Sequence, residues 1–322
     1  MIAPAFWQTG RGPWPHLLAP VAAIVARCTA RRLARPGSRA PVPVICCGNA
    51  TIGGAGKTTL ALDLGRRLGA RGLAVHFLSR GHGGTIAGPH RVDPARDPAR
   101  MVGDEPLLLA GLAPTWIGAD RAASARAAIA AGAEVLVMDD GLQNPALVKT
   151  ASLLVIDGAR GFGNGRVLPA GPLREPAEVA AARATAAVLI GEDATGALAR
   201  LPSGLPVLRA TLVADAAARA LAGVRVLAFA GIAFPEKFYA TLEQAGAVLA
   251  ARHGFPDHHR FRARELAGLE AAAARLGARP VTTPKDAVRL PQAVRARIAV
   301  AGVGLAWAEP AAIEAALDRW LA

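Results

Sequence analysis

Aromatic side chains are scarce, at 4% of the 322 residues. Proteins that read single-stranded nucleic acid interleave aromatic stacking platforms with basic residues. No stretch of this chain does so, and nucleic acid is not an expected partner despite a formal charge of +13. Cysteine is scarcer still. Cys28, Cys46 and Cys47 lack metal-type spacing and two are adjacent, so neither a disulfide framework nor a zinc site is expected. Cys46 and Cys47 read as small residues of a buried strand. A long apolar run is also missing. Leu17 to Ala26, interrupted by Pro20, falls short of the roughly 20 apolar residues a helix needs to span a bilayer. Positive charge follows this run instead of preceding it, opposite to a secretory signal. There is no internal repeat and no low-complexity segment beyond alanine-rich helices.

What is present is a globular composition, 52% hydrophobic, with a strongly basic balance. A net positive charge of this size attracts polyanions, and without nucleic-acid features it favours a membrane face or a phosphorylated substrate. The apolar stretch Leu17 to Ala26 runs into Arg27, Arg31, Arg32 and Arg35, mostly on one side at helical spacing. This pattern predicts an interfacial helix with its arginines on anionic headgroups, and Trp7 and Trp14 suit the interface. A helix packed on the body of the protein shares the same pattern.

From Pro43 onward the hydrophobic pattern is that of βα units. Val44 to Cys47 reads as a buried strand, a glycine loop follows, and Lys57 to Leu68 reads as a helix. Further strands are expected at Ala74 to Leu78, Glu134 to Met138 and Ser152 to Ile156, with a helix from Arg121 to Ala131. This alternation predicts an α/β fold of the P-loop NTPase type, a mainly parallel sheet with helices on both faces. Ligands then bind at the carboxyl ends of the strands. The Pro-bearing stretch Leu201 to Gly223 reads as a connection to a smaller α/β unit, which includes one strand from Ile298 to Ala306. The division expected is therefore an N-terminal interfacial helix at 1–40, a kinase domain at 41–222 and a C-terminal domain at 223–322.

Thr51-Ile52-Gly53-Gly54-Ala55-Gly56-Lys57-Thr58, with Thr59 behind it, is a strand–glycine turn–Lys–Thr–helix arrangement. Its backbone N–H groups and helix N-terminus suit phosphate oxygens, Lys57 the β/γ-phosphates and the Thr58 hydroxyl Mg²⁺. Thr51 stands where the usual first glycine would be. Val135 to Met138 leads into Asp139 and Asp140, carboxylates at a strand end where an Mg²⁺ partner would sit, Asp139 foremost. Asp104, in Gly103-Asp104-Glu105-Pro106, fits either a helix N-cap or the acceptor of a hydroxyl proton. Asp257-His258-His259 offers a histidine to orient a catalytic carboxylate, or in Asp257 a plain helix cap.

Taken together with Asp139-Asp140-Gly141-Leu142-Gln143, Ser79-Arg80-Gly81, Leu168-Pro169-Ala170-Gly171-Pro172-Leu173-Arg174-Glu175-Pro176 and Thr282-Thr283 before Lys285-Asp286, these motifs resemble the tetraacyldisaccharide 4'-kinases, the lipid A 4'-kinases (LpxK family) of Gram-negative bacteria. The likeness covers nearly the whole chain. It implies transfer of the ATP γ-phosphate to the 4'-hydroxyl of an acylated glucosamine disaccharide 1-phosphate, with Mg²⁺, by a peripheral or monotopic protein at the cytoplasmic face of the inner membrane. Anionic membrane and lipid substrate are then the partners, and no obligate protein partner is evident. The resemblance further implies Asp104 as catalytic base with His258 beside it and Lys57 on the phosphates. Thr58, Asp139, Asp140 and Glu175 become the metal shell, and Arg80, Arg121 and Arg174 hold phosphate charge. Asn144 and Pro284 depart from the family pattern of His after the Asp-Asp-Gly-x-Gln run and an acidic residue before Lys285. The alternative is a membrane-associated P-loop ATPase or GTPase switch of the partitioning type. Against it, Ile52 replaces the signature lysine of that loop, and Thr283-Pro284-Lys285-Asp286 lacks guanine-motif spacing.

Overall fold

The computed structural model describes residues 4–322. The strands are β1 (Val44–Gly48), β2 (Val75–Ser79), β3 (His90–Arg91), β4 (Thr115–Ile117), β5 (Val135–Asp139), β6 (Ala151–Asp157), β7 (Ala186–Ile190), β8 (Val207–Ala214), β9 (Arg225–Ala230), β10 (Val248–Gly254), β11 (Arg279–Thr282), β12 (Ala299–Val300) and β13 (Val303–Trp307). Nine form one sheet in the order β13-β8-β7-β6-β1-β5-β2-β4-β3, and four form a second in the order β10-β9-β11-β12. In the large sheet every pairing from β8 across to β4 is parallel, and the two edge pairings are antiparallel. The small sheet is parallel throughout.

The central strand β1 is buried along its whole length, as expected of a parallel strand covered on both faces. Ile45 and Cys47 face the cluster of Leu60, Leu64, Val137 and Val155, while Val44 and Cys46 face Leu136, Met138 and Leu147. Burying each such Leu, Ile or Val contributes about 1.5–3 kcal/mol, which fixes the end of β1 and hence the loop that leaves it. Burial pushes the Cys46 thiol up to about 11 and raises the Cys47 thiol as well. Both are inert core residues, as the sequence suggests.

Two expectations about chain path are corrected. The stretch read as a connection contains β8, which joins β7 in the large sheet. The single strand expected from Ile298 to Ala306 is two, with β12 in the small sheet and β13 paired to β8. The chain therefore leaves the large sheet after β8, builds the small one, and returns. The final helix, Pro310–Leu321, sets Ile313, Leu317 and Trp320 in the same core as Leu60 and Leu64, so residues 303–322 belong with the first unit. Gly302, which has no side chain, lies between the two strands, and a Cβ there would come within 2.9 Å of Asp215 and 2.8 Å of Pro284.

At the N-terminus the helix Ala19–Leu33 buries Ala22 and Thr29 against the body of the protein. Trp14, Leu17, Val21 and Ile24 stay exposed, as do Arg27, Arg31, Arg32 and Arg35. Trp7 is half-buried and its indole N–H donates to the Pro169 carbonyl at 3.1 Å. Among the described residues no helix is long and apolar enough to cross a membrane.

Candidate active site

The loop from Thr51 to Gly56 leaves the carboxyl end of β1 and enters the helix Lys57–Ala70. Gly56 adopts φ +87°, and a Cβ there would lie 2.6 Å from Ile190 Cδ1; glycine alone makes this approach without strain. Gly53, at φ +110°, and Gly54 face open space. The loop is braced from the far side, where Ile52 N–H donates to Pro172 O at 2.8 Å and Arg174 N–H to Ala50 O at 2.7 Å. The Pro172–Arg174 segment thus fixes the outer wall of a backbone cradle whose free N–H groups and helix N-terminus suit an anion.

Lys57 Nζ donates to Asn49 Oδ1 at 3.0 Å and lies 3.8 Å from Asp140 Oδ1. Asn49 is fully buried and its amide also donates to Thr51 Oγ1 at 3.0 Å. Asn49, directly after β1, carries no assigned role from the sequence, although Gly48-Asn49 is part of the family likeness. Thr59 follows in the first helical turn, half-buried.

The Thr58 hydroxyl donates to Asp139 Oδ2 at 2.9 Å, and Asp139 Oδ1 is buried with no partner among the described residues. Burial, reinforced by Asp140 and opposed by Lys57 and the Thr58 bond, pushes this carboxyl up to about 7. An orphaned buried carboxylate oxygen beside a threonine hydroxyl is the donor set a hard cation takes, since Mg²⁺ keeps several waters and adds only one or two protein oxygens. The residues fit Mg²⁺.

The remaining members of the expected metal set are engaged elsewhere. Asp140, at φ +54°, is held in a two-pronged pair by Arg174 at 2.7 and 3.0 Å. Although burial works against ionisation, Lys57 and Arg174 hold its carboxyl below the ordinary range. Glu175 is buried and occupied by Arg183 at 2.7 Å and by the Gln143 amide at 2.9 Å. Gln143 also donates to the Asn49 carbonyl at 2.9 Å. Glu175 Oε2, though beside Arg183, has no hydrogen bond among the described residues, and among those residues no three His, Cys, Asp or Glu side chains form a metal-holding group.

Asp104 is the first residue of the helix Asp104–Ala110 and caps nothing; Gly103, at φ +91°, is the N-cap residue. Its buried carboxylate reaches across to the second unit, where Oδ2 accepts from His258 Nδ1 at 2.7 Å and from Arg289 Nε at 2.8 Å. An ionised carboxylate only accepts, which puts the proton of this contact on Nδ1. Burial raises the Asp104 carboxyl, but His258 and Arg289 outweigh it and the net shift is downward. Lys285 lies 3.2 Å from Glu105 Oε1 and 3.5 Å from His258 Nε2.

The loop that presents His258 is fixed by its aromatic neighbours. His259 stacks on Phe255 at 4.7 Å and meets Phe261 edge-on at 5.0 Å, while its Nε2 lies 3.0 Å from Glu265. His258 itself sits at φ +59°, a conformation that costs of order 1–3 kcal/mol and is held by surrounding structure. Asp257 is no helix cap; it accepts from the His258 N–H at 3.1 Å. The departures have local reasons as well. Asn144 Oδ1 accepts from Ala146 N–H at 2.9 Å in a turn, and Pro284 occupies the first turn of a helix capped by Thr283, where proline's fixed φ is favourable.

Of the three candidate arginines, Arg174 is on Asp140 and Arg80 is exposed. Arg121 is buried, donates to the Gly118 carbonyl and leaves Nε unpartnered among the described residues. Burial first, then Arg80, lower its guanidinium to about 10, while Asp140 and Asp139 act in the opposite sense. Arg80 and Arg121 therefore share one field with the acidic pair, and Glu105 acts on Asp139 from the Asp104 side. On the opposite side of the loop, Asp157 and Arg160 approach the second unit, with Lys237 Nζ 3.2 Å from Asp157 Oδ2 and the Arg160 guanidinium 3.6 Å from the Phe234 ring centre.

A family model described as tetraacyldisaccharide-1-P 4'-kinase matches residues 14–322. The tetraacyldisaccharide 4'-kinase of Gluconacetobacter diazotrophicus is 60% identical over 322 residues, covering 100% of this chain and 98% of its own. That of Rhodospirillum centenum is 56% identical over 330 residues, with 100% and 96% covered. Among solved structures, LpxK from Aquifex aeolicus, crystallised in complex with ATP, matches with a TM-score of 0.76 at 24% identity over 96% of this chain and 99% of that one; this likeness shows the fold.

Proposed function

The chain belongs to the tetraacyldisaccharide-1-P 4'-kinase family, and on that premise we propose how its side chains divide the transfer of the ATP γ-phosphate to the 4'-hydroxyl of a tetraacyl glucosamine disaccharide 1-phosphate. The observation that carries the reading is the meeting of two half-sites. One is Lys57, Thr58 and Asp139 at the mouth of the glycine loop, and the other is Asp104 with His258 and Arg289 at the junction of the two sheets. A switch ATPase or GTPase has no need of the second half-site, and that alternative falls away with family membership.

The backbone from Thr51 through Ile52, Gly53, Gly54 and Ala55 to Gly56, and the helix turn bearing Thr59, cradle the triphosphate. Lys57, steered by Asn49, neutralises the β- and γ-phosphates. Thr58 and Asp139 would hold Mg²⁺, which supplies charge neutralisation at the transferring phosphoryl group. Asp140 fixes Lys57 and is fixed by Arg174. Arg80 and Arg121 face the same field and hold phosphate charge.

Asp104 accepts the proton of the 4'-hydroxyl as its oxygen bonds to the γ-phosphorus; the bond from phosphorus to the β–γ bridging oxygen breaks and ADP leaves. His258 holds the Asp104 carboxylate in place through Nδ1. The chemistry is largely one of positioning and charge neutralisation, which suits a site whose side chains are prearranged by buried partners.

The protein acts peripherally at the cytoplasmic face of the inner membrane. Support comes from the exposed row of Trp14, Leu17, Val21 and Ile24 followed by Arg27, Arg31, Arg32 and Arg35, an apolar face with a basic margin suited to anionic lipid. The test of the whole reading is direct: purified protein is incubated with γ-labelled ATP, Mg²⁺ and the disaccharide 1-phosphate in detergent. Label is expected in the lipid, and ATP hydrolysis without labelled lipid would refute the proposal.

A further inference from the structure

Arg289 belongs to none of the motifs that identify the chain, yet it joins the two half-sites of the fold. Its side chain is 5% exposed. Nε donates to Asp104 Oδ2 at 2.8 Å, while Nη1 donates to Asp286 Oδ1 at 2.9 Å and to the Gly231 carbonyl at 3.1 Å. Asp286 is itself fully buried and immobilised: the Gly231 N–H donates to both of its oxygens at 3.1 Å and the Thr283 hydroxyl to Oδ2 at 2.7 Å. A continuous set of hydrogen bonds thus runs from the end of β9, through Asp286 and Arg289, to the carboxylate on the other sheet.

A buried guanidinium needs paired charge, and Asp286 on its own unit would supply that. Reaching on to Asp104 adds something a local ion pair does not require. Among the described residues His258 and Arg289 converge on the one oxygen, Oδ2, and no hydrogen bond engages Oδ1. We infer that Arg289 is a positioning residue for phosphate transfer: it orients the Asp104 carboxylate so that Oδ1 faces the acceptor hydroxyl, and it keeps that carboxylate ionised. Asp286 in turn sets the angle of the guanidinium fork. The inference rests on Asp104 being the proton acceptor.

The groups facing Asp104 are His258, from the 255–261 loop, and Arg289, with Lys285 at one remove, 3.2 Å from Glu105 and 3.5 Å from His258, and Asp257 3.8 Å from the far His258 nitrogen. A neighbouring cation favours the charged carboxylate, and removing it moves the carboxyl upward. Removal of Arg289 with His258 intact should therefore shift the acid limb of the rate profile to higher pH, which a purely structural role would not do.

The experiment compares kcat against pH for the wild-type protein, R289K, R289Q and D104N, with ATP affinity measured in parallel. For R289Q, kcat is expected to fall about 10- to 100-fold, the acid limb to rise by about one pH unit, and ATP affinity to stay unchanged. R289K keeps the charge but lacks the planar fork; it should fold if R289Q does not, lose rate by a smaller factor and move the limb in the same direction. A full rate in either folded variant, or a rate loss with the acid limb unmoved, overturns the inference while leaving Asp104 as acceptor if D104N is inactive. A fully active D104N would instead bring down the reading of Asp104 itself, and the inference with it.

Discussion

Thr58 and Asp139, 81 positions apart in the chain, are joined by a 2.9 Å hydrogen bond that leaves the second oxygen of Asp139 buried and unpartnered. The first helical turn after β1 and the end of β5 are brought together because β1 and β5 are parallel neighbours, with Cys47 in register with Asp139. An unpartnered buried carboxylate oxygen is a cost to the protein.

That cost is measurable. Burial raises the Asp139 carboxyl from its ordinary value to about 7, so between those two pH values the folded protein binds a proton that the unfolded chain does not. Stability falls as pH rises through this window. Asp139→Asn removes the buried charge, and in EDTA at pH 8 its melting temperature should equal or exceed that of the wild type. Transfer should drop at least about 100-fold, as expected when a metal-binding carboxylate is lost. A clearly lower melting temperature would mean that the carboxylate is not a burden in the free protein.

Asp104→Ala should separate binding from chemistry. Its contacts lie with His258 and Arg289, away from the glycine loop, so ATP affinity, read by calorimetry, is expected to stay within about twofold while phosphate transfer is lost, because the change acts on the acceptor side. Retention of transfer would exclude Asp104 as the base.

The same carboxylate predicts an acid sensitivity. Its pKa is depressed in the folded protein by His258 and Arg289. The stabilisation is thus complete above the unfolded pKa and disappears as pH falls through the folded one. Urea midpoints followed from pH 7 to pH 3 should decline less steeply in Asp104→Asn than in the wild type. Parallel curves would show that the junction of the two sheets does not depend on this charge.

Gly56→Ala tests the backbone of the cradle. A methyl group 2.6 Å from Ile190 Cδ1 at φ +87° forces either the loop or the isoleucine to move. The expected penalty is about 1–3 kcal/mol, visible as a lower melting temperature together with weakened ATP binding; unaltered binding would remove this glycine from the account of the site.

At the N-terminus, Leu17 and Ile24 are 65% and 62% exposed. Leu17→Asp with Ile24→Asp should leave the melt unchanged and sharply reduce co-sedimentation with vesicles containing anionic lipid. Equal sedimentation of variant and wild type would turn attention to another surface.

Much of this was legible in residue order. The run from Val44 to Thr58 declares a buried strand, a glycine turn and a helix start, because local sterics and hydrophobic periodicity act over a few residues. Asp139 follows from its place at a strand end. The path of β8 and β13 was not legible. β8 is largely exposed, with Leu212 and Val213 open to solvent, and β13 is mostly half-buried, so neither has the buried apolar pattern that marks β1. The partners of Glu175 were not legible either, since Arg183 and Gln143 meet it only in the folded chain.

By itself the sequence determined the chemistry available: a phosphate cradle, a lysine, paired carboxylates and a basic apolar helix, each encoded in contiguous residues whose local geometry needs no distant partner. Tertiary structure alone decided which carboxylate meets which partner. Asp104 lies 154 positions from His258 and 185 from Arg289, and only the docking of the small sheet on the large one brings both donors to one oxygen. Charge and hydrogen bonding act over ångströms in space, and separation along the chain carries no record of them.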